Sequence, residues 1–420
     1  DRKRLIMRVA LSSELNVLAN YLNRISESDW HARDFTLTTL RDALREVVAH
    51  FPVYRTYVRS ESVSDEDRRY VEWAVAQARN RSPAADVSVY DFVRSVLLLE
   101  NVSKRDEAYR RAVLDFVMRF QQFTAPVMAK AFEDTTFYIY NRLVSLNEVG
   151  GDPRRFGLSV AALHGANQER ARRWPHTLVL TSSHDSKRSE DVRARISVLS
   201  EIAAEWREHV NRWTRINRGK KRKINEIATP TRNDEYLLYQ TLLGAWPLQA
   251  PADDAARETF RERIESYLMK AVREAKMHTS WINPNEDYEA AIRDFVRALL
   301  QPARNLFLDD FLPFQARVAR YGLYTSLSQA LLKLTIPGVP DIYQGNEIWD
   351  FSLVDPDNRR PVDYAQRMRL LDEIERTKDA ERARFARSLV GTLDDGRAKL
   401  YVTWRALTLR RSKPQVFREG

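Results

Sequence analysis

Three short apolar runs, each cut off by a cluster of polar residues, are set among long stretches of helical periodicity, and this order restricts the fold more than any other feature. Residues 124–136 (TAPVMAKAFEDTT) lead to Lys130, Glu133 and Asp134. Residues 176–188 (HTLVLTSSHDSKR) deliver His184 and Asp185 behind a six-residue β-prone run, and residues 334–347 (LTIPGVPDIYQGNE) are bracketed by Pro337, Gly338 and Gly345. Strand, polar tip, helix, strand, polar tip is α/β order, in which parallel strands carry functional groups at their carboxyl ends. The second and third runs are expected to be buried strands, the third preceded by a long helix over about 309–333. The first is expected to be a short extended stretch opening into a helix that ends near Leu143.

Ahead of these runs the pattern is helical. Leu15, Leu18, Leu22 and Ile25 recur at three- and four-residue steps, and a second stripe of Leu37, Leu40, Leu44 and Val47 follows Asp34, which can cap it. Residues 52–58 (PVYRTYV) read as extended, and Ser64 with Asp67 makes a capping-box-like start for the next helix. The pattern gives a mainly helical domain at 1–120, then α/β units at 121–375 with helical insertions about 200–300. Only 12 Gly in 420 residues argue against an all-β protein rich in tight turns.

Lys and Arg number 68 against 58 Asp and Glu, a net charge of +10, but the basic residues are interleaved with acids along helical stretches. The one dense run, residues 215–223 (RINRGKKRK), has no aromatic residue among its cations and reads as a solvated loop, so no nucleic acid is expected as a partner. The absence of Cys excludes a disulfide scaffold, a thiolate metal site and a Cys nucleophile, and it suits a reducing compartment, so the cytoplasm is expected. No apolar run approaches the roughly 18 residues of a membrane span. The 7 His residues lack metal-ligand spacing, the Asp355 to Asn358 run lacks the distal Glu of a calcium loop, and no nucleotide-binding motif occurs, so neither metal nor cofactor is expected. The chain begins Asp1-Arg2-Lys3, without Met or an apolar leader, and is expected to be either processed or a portion of something longer.

Each polar cluster admits two readings. Asp185 behind a strand can stabilise a developing oxocarbenium ion while His184 donates to a sugar hydroxyl, or Asp185 or Ser189 can cap the next helix. Lys130, Glu133 and Asp134 can converge on a ligand from one helix face, or form a surface ion pair. Asp341, Tyr343, Gln344, Asn346 and Glu347 offer carboxylates and amides beside an aromatic ring, which suits sugar recognition, or else simple turn chemistry.

Taken together, RDFTLTTLRDALREVVAHFPVYRTYV (33–58), QQFTAPVMAKAFEDTTFYIYNRLVSLNEVGGDP (121–153), SSHDSKRSEDVRARISVLSE (182–201), NDEYLLYQTLLGAWP (233–247) and PGVPDIYQGNEIWDFSLVDPDNRRPVDY (337–364) closely resemble the maltooligosyltrehalose synthases of the α-amylase clan. Ala131, where Gly is common in that family, and Ser186, where Thr is common, are small departures that remove no ionisable group. The resemblance implies an α/β fold of the (β/α)₈ TIM-barrel family, of which only the late β/α units are present here, with a large mainly α-helical insertion. Only the resemblance implies the start of a C-terminal β region at 376–420. It implies an intramolecular glucosylmutase that turns the reducing-end α-1,4 linkage of a maltooligosaccharide into α,α-1,1 by a retaining mechanism. Asp185 matches the Asp that fixes the distorted sugar, and His184 its sugar-binding neighbour. Lys187 and Arg188 beside them, Lys130 and Glu133, the loop with Asp341, Gln344 and Glu347, and Tyr54 and Arg55 in the extended segment are expected to contact substrate. The family's nucleophile and acid/base find no match here, so the chain alone is expected to be inactive, with the missing N-terminal half of the enzyme as a partner. The alternative from another class is a non-catalytic helical α-glucan-binding or scaffold protein derived from such an enzyme.

Overall fold

Polar residues that stop and start helices set the architecture. In the computed structural model, which describes residues 1–59, 62–81, 87–249, 253–302, 304–377 and 379–418, the chain divides into two compact units, Asp1–Thr136 and Phe137–Gly420. The first contains α1 (Arg2–Val9), α2 (Ser12–Glu27), α3 (Leu37–His50), α4 (Asp65–Arg81), α5 (Val87–Leu97) and α6 (Glu107–Met128). Thr36, not Asp34, caps α3, its hydroxyl accepting from Thr39 N at 3.2 Å. Ser64 caps α4, its Oγ accepting from Asp67 N at 3.0 Å, while Asp67 accepts from the Ser64 hydroxyl and from Tyr57 N. Leu22, Leu40, Leu44, Val47, Phe116 and Phe120 make the buried centre of this unit.

Residues 124–136 are not extended. The buried stripe Val113, Phe116, Val117, Phe120, Thr124 and Val127 carries α6 past the expected boundary at 120 and through Pro126, and a π turn, Ala129–Glu133, follows. A continuous helix with one buried face cannot end a domain halfway along that face. A 3₁₀ turn, Thr136–Tyr138, stands where the sequence suggested a helix reaching Leu143, and a second, Val144–Leu146, follows.

The second unit contains α7 (Val160–Arg173), β1 (Leu178–Val179), α8 (Glu190–Ser197), α9 (Ala203–Ile216), β2 (Arg222–Ile224), β3 (Ile227–Thr229), α10 (Arg232–Ala245), α11 (Asp254–Ala275), α12 (Glu286–Leu300), α13 (Leu306–Thr335), β4 (Val339–Pro340), α14 (Tyr364–Arg376), α15 (Arg382–Gly391), α16 (Arg397–Ser412) and α17 (Pro414–Arg418). Its core is built round Trp213, fully buried, whose ring meets Trp206, Tyr239, Phe307, Phe311 and Phe314 at centroid distances of 5.3–5.9 Å. The indole N–H donates to Asp310 at 2.7 Å, which keeps a buried donor satisfied.

β1 and β4 pair in parallel, Leu178 with Val339 and Val179 with Pro340, while β2 and β3 form an antiparallel hairpin. The expected burial of the parallel strands is not met, for Leu178 is 63% and Val339 43% exposed. Parallel sheets gain stability when both faces are covered, and the described strands of this pair have only each other. The expected β region from 376 is also corrected: α15, α16 and α17 fill it. The run Leu400, Tyr401, Trp404 has helical spacing, and it packs beside Ile348 and Ile374. Among the described residues no helix is long and apolar enough to cross a membrane.

α8 is wedged between α10 and α13 where each offers a glycine. A Cβ at Gly244 would lie 2.7 Å from Val192 Cγ1, and one at Gly322 would lie 2.8 Å from the Arg195 Cα. Gly322→Ala should therefore cost about 1–3 kcal/mol in urea unfolding, although Ala gains about 1 kcal/mol in a helix that has room for it. Gly165→Ala in α7, with nothing within 4 Å of its Cβ, is the matched control and should stabilise.

Candidate functional site

Because β1 and β4 are parallel, the loops that leave their carboxyl ends lie side by side. Val339 N donates to Thr177 O at 2.8 Å and Asp341 N to Val179 O at 2.9 Å, so the register is held up to the point where the chains turn. Gly338, at φ +109°, is needed there, since a Cβ would sit 2.6 Å from Val179 Cγ2. A cleft of about 660 Å³ opens between β1 and α13, lined by Val179, Leu180, Tyr324, Leu332 and Ile336 among others.

Ser189 settles which residue caps α8. Its hydroxyl accepts from Val192 N at 3.4 Å, so the Asp185 carboxylate is not spent on the helix end. His184 and Asp185 instead form an exposed pair at the loop tip, Nε2 to Oδ2 3.3 Å, with side chains 60% and 71% exposed. The backbone beneath them is pinned. Asp185 N donates to Ser183 Oγ at 3.2 Å, and Asn358 Nδ2 donates to His184 O at 2.9 Å. Tyr343, from the loop after β4, donates through its hydroxyl to Asn358 O at 3.0 Å. Glu148 accepts from Lys187 N at 2.8 Å and from Arg188 N at 3.4 Å.

The other expected contacts divide. Asp341 and Gln344 are exposed on the second loop, whereas Glu347 accepts from Arg367 Nε at 2.9 Å and Gly345 N at 3.1 Å, a turn-stabilising arrangement. Arg188, expected at a sugar, is 1% exposed inside the unit and donates to Tyr267 Oη at 2.5 Å. Lys187 is also buried, at 7%. The segment turns inward after Asp185, where Glu148 accepts from the Lys187 and Arg188 amides and Arg188 reaches Tyr267, and that removes both cations from the loop surface.

In the first unit, the Tyr54 hydroxyl donates to the buried carboxylate of Glu133, and Arg55 stacks over Tyr57 at 4.6 Å. Lys130 pairs with Asp134 at 2.8 Å across one helical turn, the surface pair of the blander reading.

A larger feature escaped the sequence. Glu190 and Asp191, the first two residues of α8, meet Lys333 of α13 and Lys399 of α16 in a cluster of four buried charges. Lys399 Nζ is 2.7 Å from Glu190 and 2.8 Å from Asp191. Burial works against the charged form of Glu190, but the two ammonium groups outweigh it and hold the carboxyl down at about 2. Burial also works against the Lys399 ammonium, and the two carboxylates overcome it and raise the Lys399 pKa. SEDVRAR advertised only a helix start, and nothing local could reveal a partner 208 residues away. Among the described residues no group of three or more His, Asp or Glu is placed to hold a metal ion.

No family model matches the chain. Two proteins of Mycobacterium tuberculosis strains described as putative maltooligosyl trehalose synthase are each 38% identical over 303 residues, 72% of this chain and 35% of theirs. The solved maltooligosyltrehalose synthase of Arthrobacter ramosus is 35% identical, with a TM-score of 0.76 over 99% of this chain and 46% of its own. A hypothetical maltooligosyl trehalose synthase of Sulfolobus tokodaii is 31% identical, with a TM-score of 0.70 over 99% of this chain and 47% of its own. The chain thus spans about a third of the length of these curated relatives and under half that of the solved ones.

Proposed function

We propose that this chain, homologous to the C-terminal part of the maltooligosyltrehalose synthases, contributes one side of a glucosylmutase site that converts the reducing-end α-1,4 linkage of a maltooligosaccharide to α,α-1,1. The observation that carries this reading is the Asp185 carboxylate, exposed at the tip behind a parallel strand and paired with His184 rather than with a helix end.

In a retaining transfer one carboxylate attacks the anomeric carbon while an acid protonates the departing oxygen, and the two carboxyls stand about 5–5.5 Å apart. The freed glucose then turns and returns its anomeric hydroxyl to the same carbon, giving its proton back to the base. Asp185 serves neither step. It accepts hydrogen bonds from hydroxyls of the distorted ring and stabilises the positive charge that builds there, and His184 holds a neighbouring hydroxyl. The nucleophile and acid/base belong to the portion that the relatives have in addition. β1 and β4 are adjacent late strands of a (β/α)₈ barrel whose remaining strands cover the apolar cleft beside α13. Asp341 and Gln344 reach the same substrate from the second tip, and the reaction belongs to trehalose formation in the cytoplasm.

The test is a product assay on maltopentaose. The 420-residue chain alone should form no α,α-1,1 product, and the chain joined to the additional portion of a relative should form it. Product from the isolated chain, or none from a folded joined protein, overturns the reading.

A further inference from the structure

The first turn of α8 holds the two loops together, and groups from outside both, on α13 and α16, hold its carboxylates. Glu190 accepts from the Thr181 hydroxyl at the start of the first loop and from Lys333 Nζ at 3.1 Å, and its own amide donates to Ser182 Oγ at 2.8 Å. Asp191 accepts from Asp350 N in the second loop at 2.7 Å and from the Ser326 hydroxyl. Lys399 Nζ lies between the carboxylates and reaches the Ile348 carbonyl at 3.5 Å. The loops are then joined at Ser189, whose amide donates to Ser352 O at 3.0 Å and whose hydroxyl donates to Asp350 O at 2.5 Å.

We propose that Lys399 is a positioning residue: its buried ammonium, shared by Glu190 and Asp191, fixes the loop bearing His184 and Asp185 in register with the loop at 346–352. As a stabiliser alone such a cluster is a poor solution, because well-packed apolar side chains of similar volume are often as stable. What apolar packing cannot supply is direction. Each of the two adjacent carboxylates points its remaining acceptor capacity at a different loop, and one cation makes it possible to bury both. The first of those loops carries the exposed pair, with only four residues between Asp185 and Glu190. The bearing of this on catalysis rests on the function proposed above, whereas the positioning itself does not.

Amide hydrogen exchange on the 420-residue chain tests it, without reference to turnover. In Lys399→Met the amides of Ser189 and Asp350 should speed up at least tenfold more than those of Leu242 and Phe311, core residues of α10 and α13 in the same unit. A merely structural role would open the unit as a whole and speed all four by one factor, which would overturn the proposal. Should Lys399→Met fail to fold, the double variant Asp191→Leu/Lys399→Met removes both charges and leaves the Glu190–Lys333 pair intact. Ser189 should still exchange fast in it, although Ser189 bonds to neither altered side chain. A Ser189 rate equal to that of the parent chain would refute positioning by this cluster.

Discussion

Asp185→Asn, made in the joined protein, should lower kcat for trehalose-end formation by about 10²–10³-fold and leave the urea midpoint unchanged. The two halves of that expectation have separate causes. Removing one preorganised electrostatic contact from a transition state costs about 3–4 kcal/mol of barrier. Stability is spared because the side chain is 71% exposed and the backbone beneath it is held by Ser183, Asn358 and Glu148, none of which uses the carboxylate. His184→Gln should have the smaller effect, since it loses a hydroxyl contact rather than a charge. Normal turnover by Asp185→Asn would remove the proposed role, and a large fall in stability would show that the loop depends on the carboxylate after all.

The sequence made local features legible and long-range ones not. Hydrophobic periodicity over 309–333 anticipates α13, observed as Leu306–Thr335, and Ser64 caps α4 as its residue type allows. The polar tip at His184 and Asp185 was visible because a β-prone run ends there. Whether Asp185 or Ser189 caps α8 was undecidable, for both can accept from a helix N–H, and only the path of residues 186–189 resolves it in favour of Ser189. A short apolar run ended by a polar cluster made residues 124–136 look extended, yet the stripe that buries Phe120 and Val127 carries the helix through Pro126 and outweighs one missing hydrogen bond. The inward turn of Lys187 and Arg188 depends on Glu148 and Tyr267, distant in sequence, and no spacing rule connects them. The β region from 376 was implied by resemblance alone, while the local spacing of Leu400, Tyr401 and Trp404 already favoured a helix.

Glu190→Gln should destabilise the chain by about 3 kcal/mol at neutral pH, and the difference from the parent should vanish in acid. The folded carboxyl sits at about 2, against about 4.3 in an unfolded chain. A depressed carboxyl contributes its full stabilisation above the unfolded value and loses it as pH falls towards the folded one. The window therefore runs from about pH 4.5 down to about 2, and a shift of roughly two units corresponds to about 3 kcal/mol. Substitution leaves Lys333, 5% exposed, without the carboxylate 3.1 Å from its Nζ, and breaking a buried pair in this way typically costs about 3–5 kcal/mol. Asp191 is raised by its own burial and further by the adjacent Glu190 carboxylate, and it acts in the opposite sense on the acid limb. The Gln variant removes the Glu190 contribution to that rise, so Asp191 ionises more readily in the variant and offsets part of the gap. Urea unfolding of parent and variant, followed by tryptophan fluorescence between neutral pH and the acid limit of folding, reads that difference directly. A gap that closes below about pH 4.5 assigns the stabilisation to the charge on Glu190. One that stays constant into acid assigns it to the shape and hydrogen bonds of the side chain.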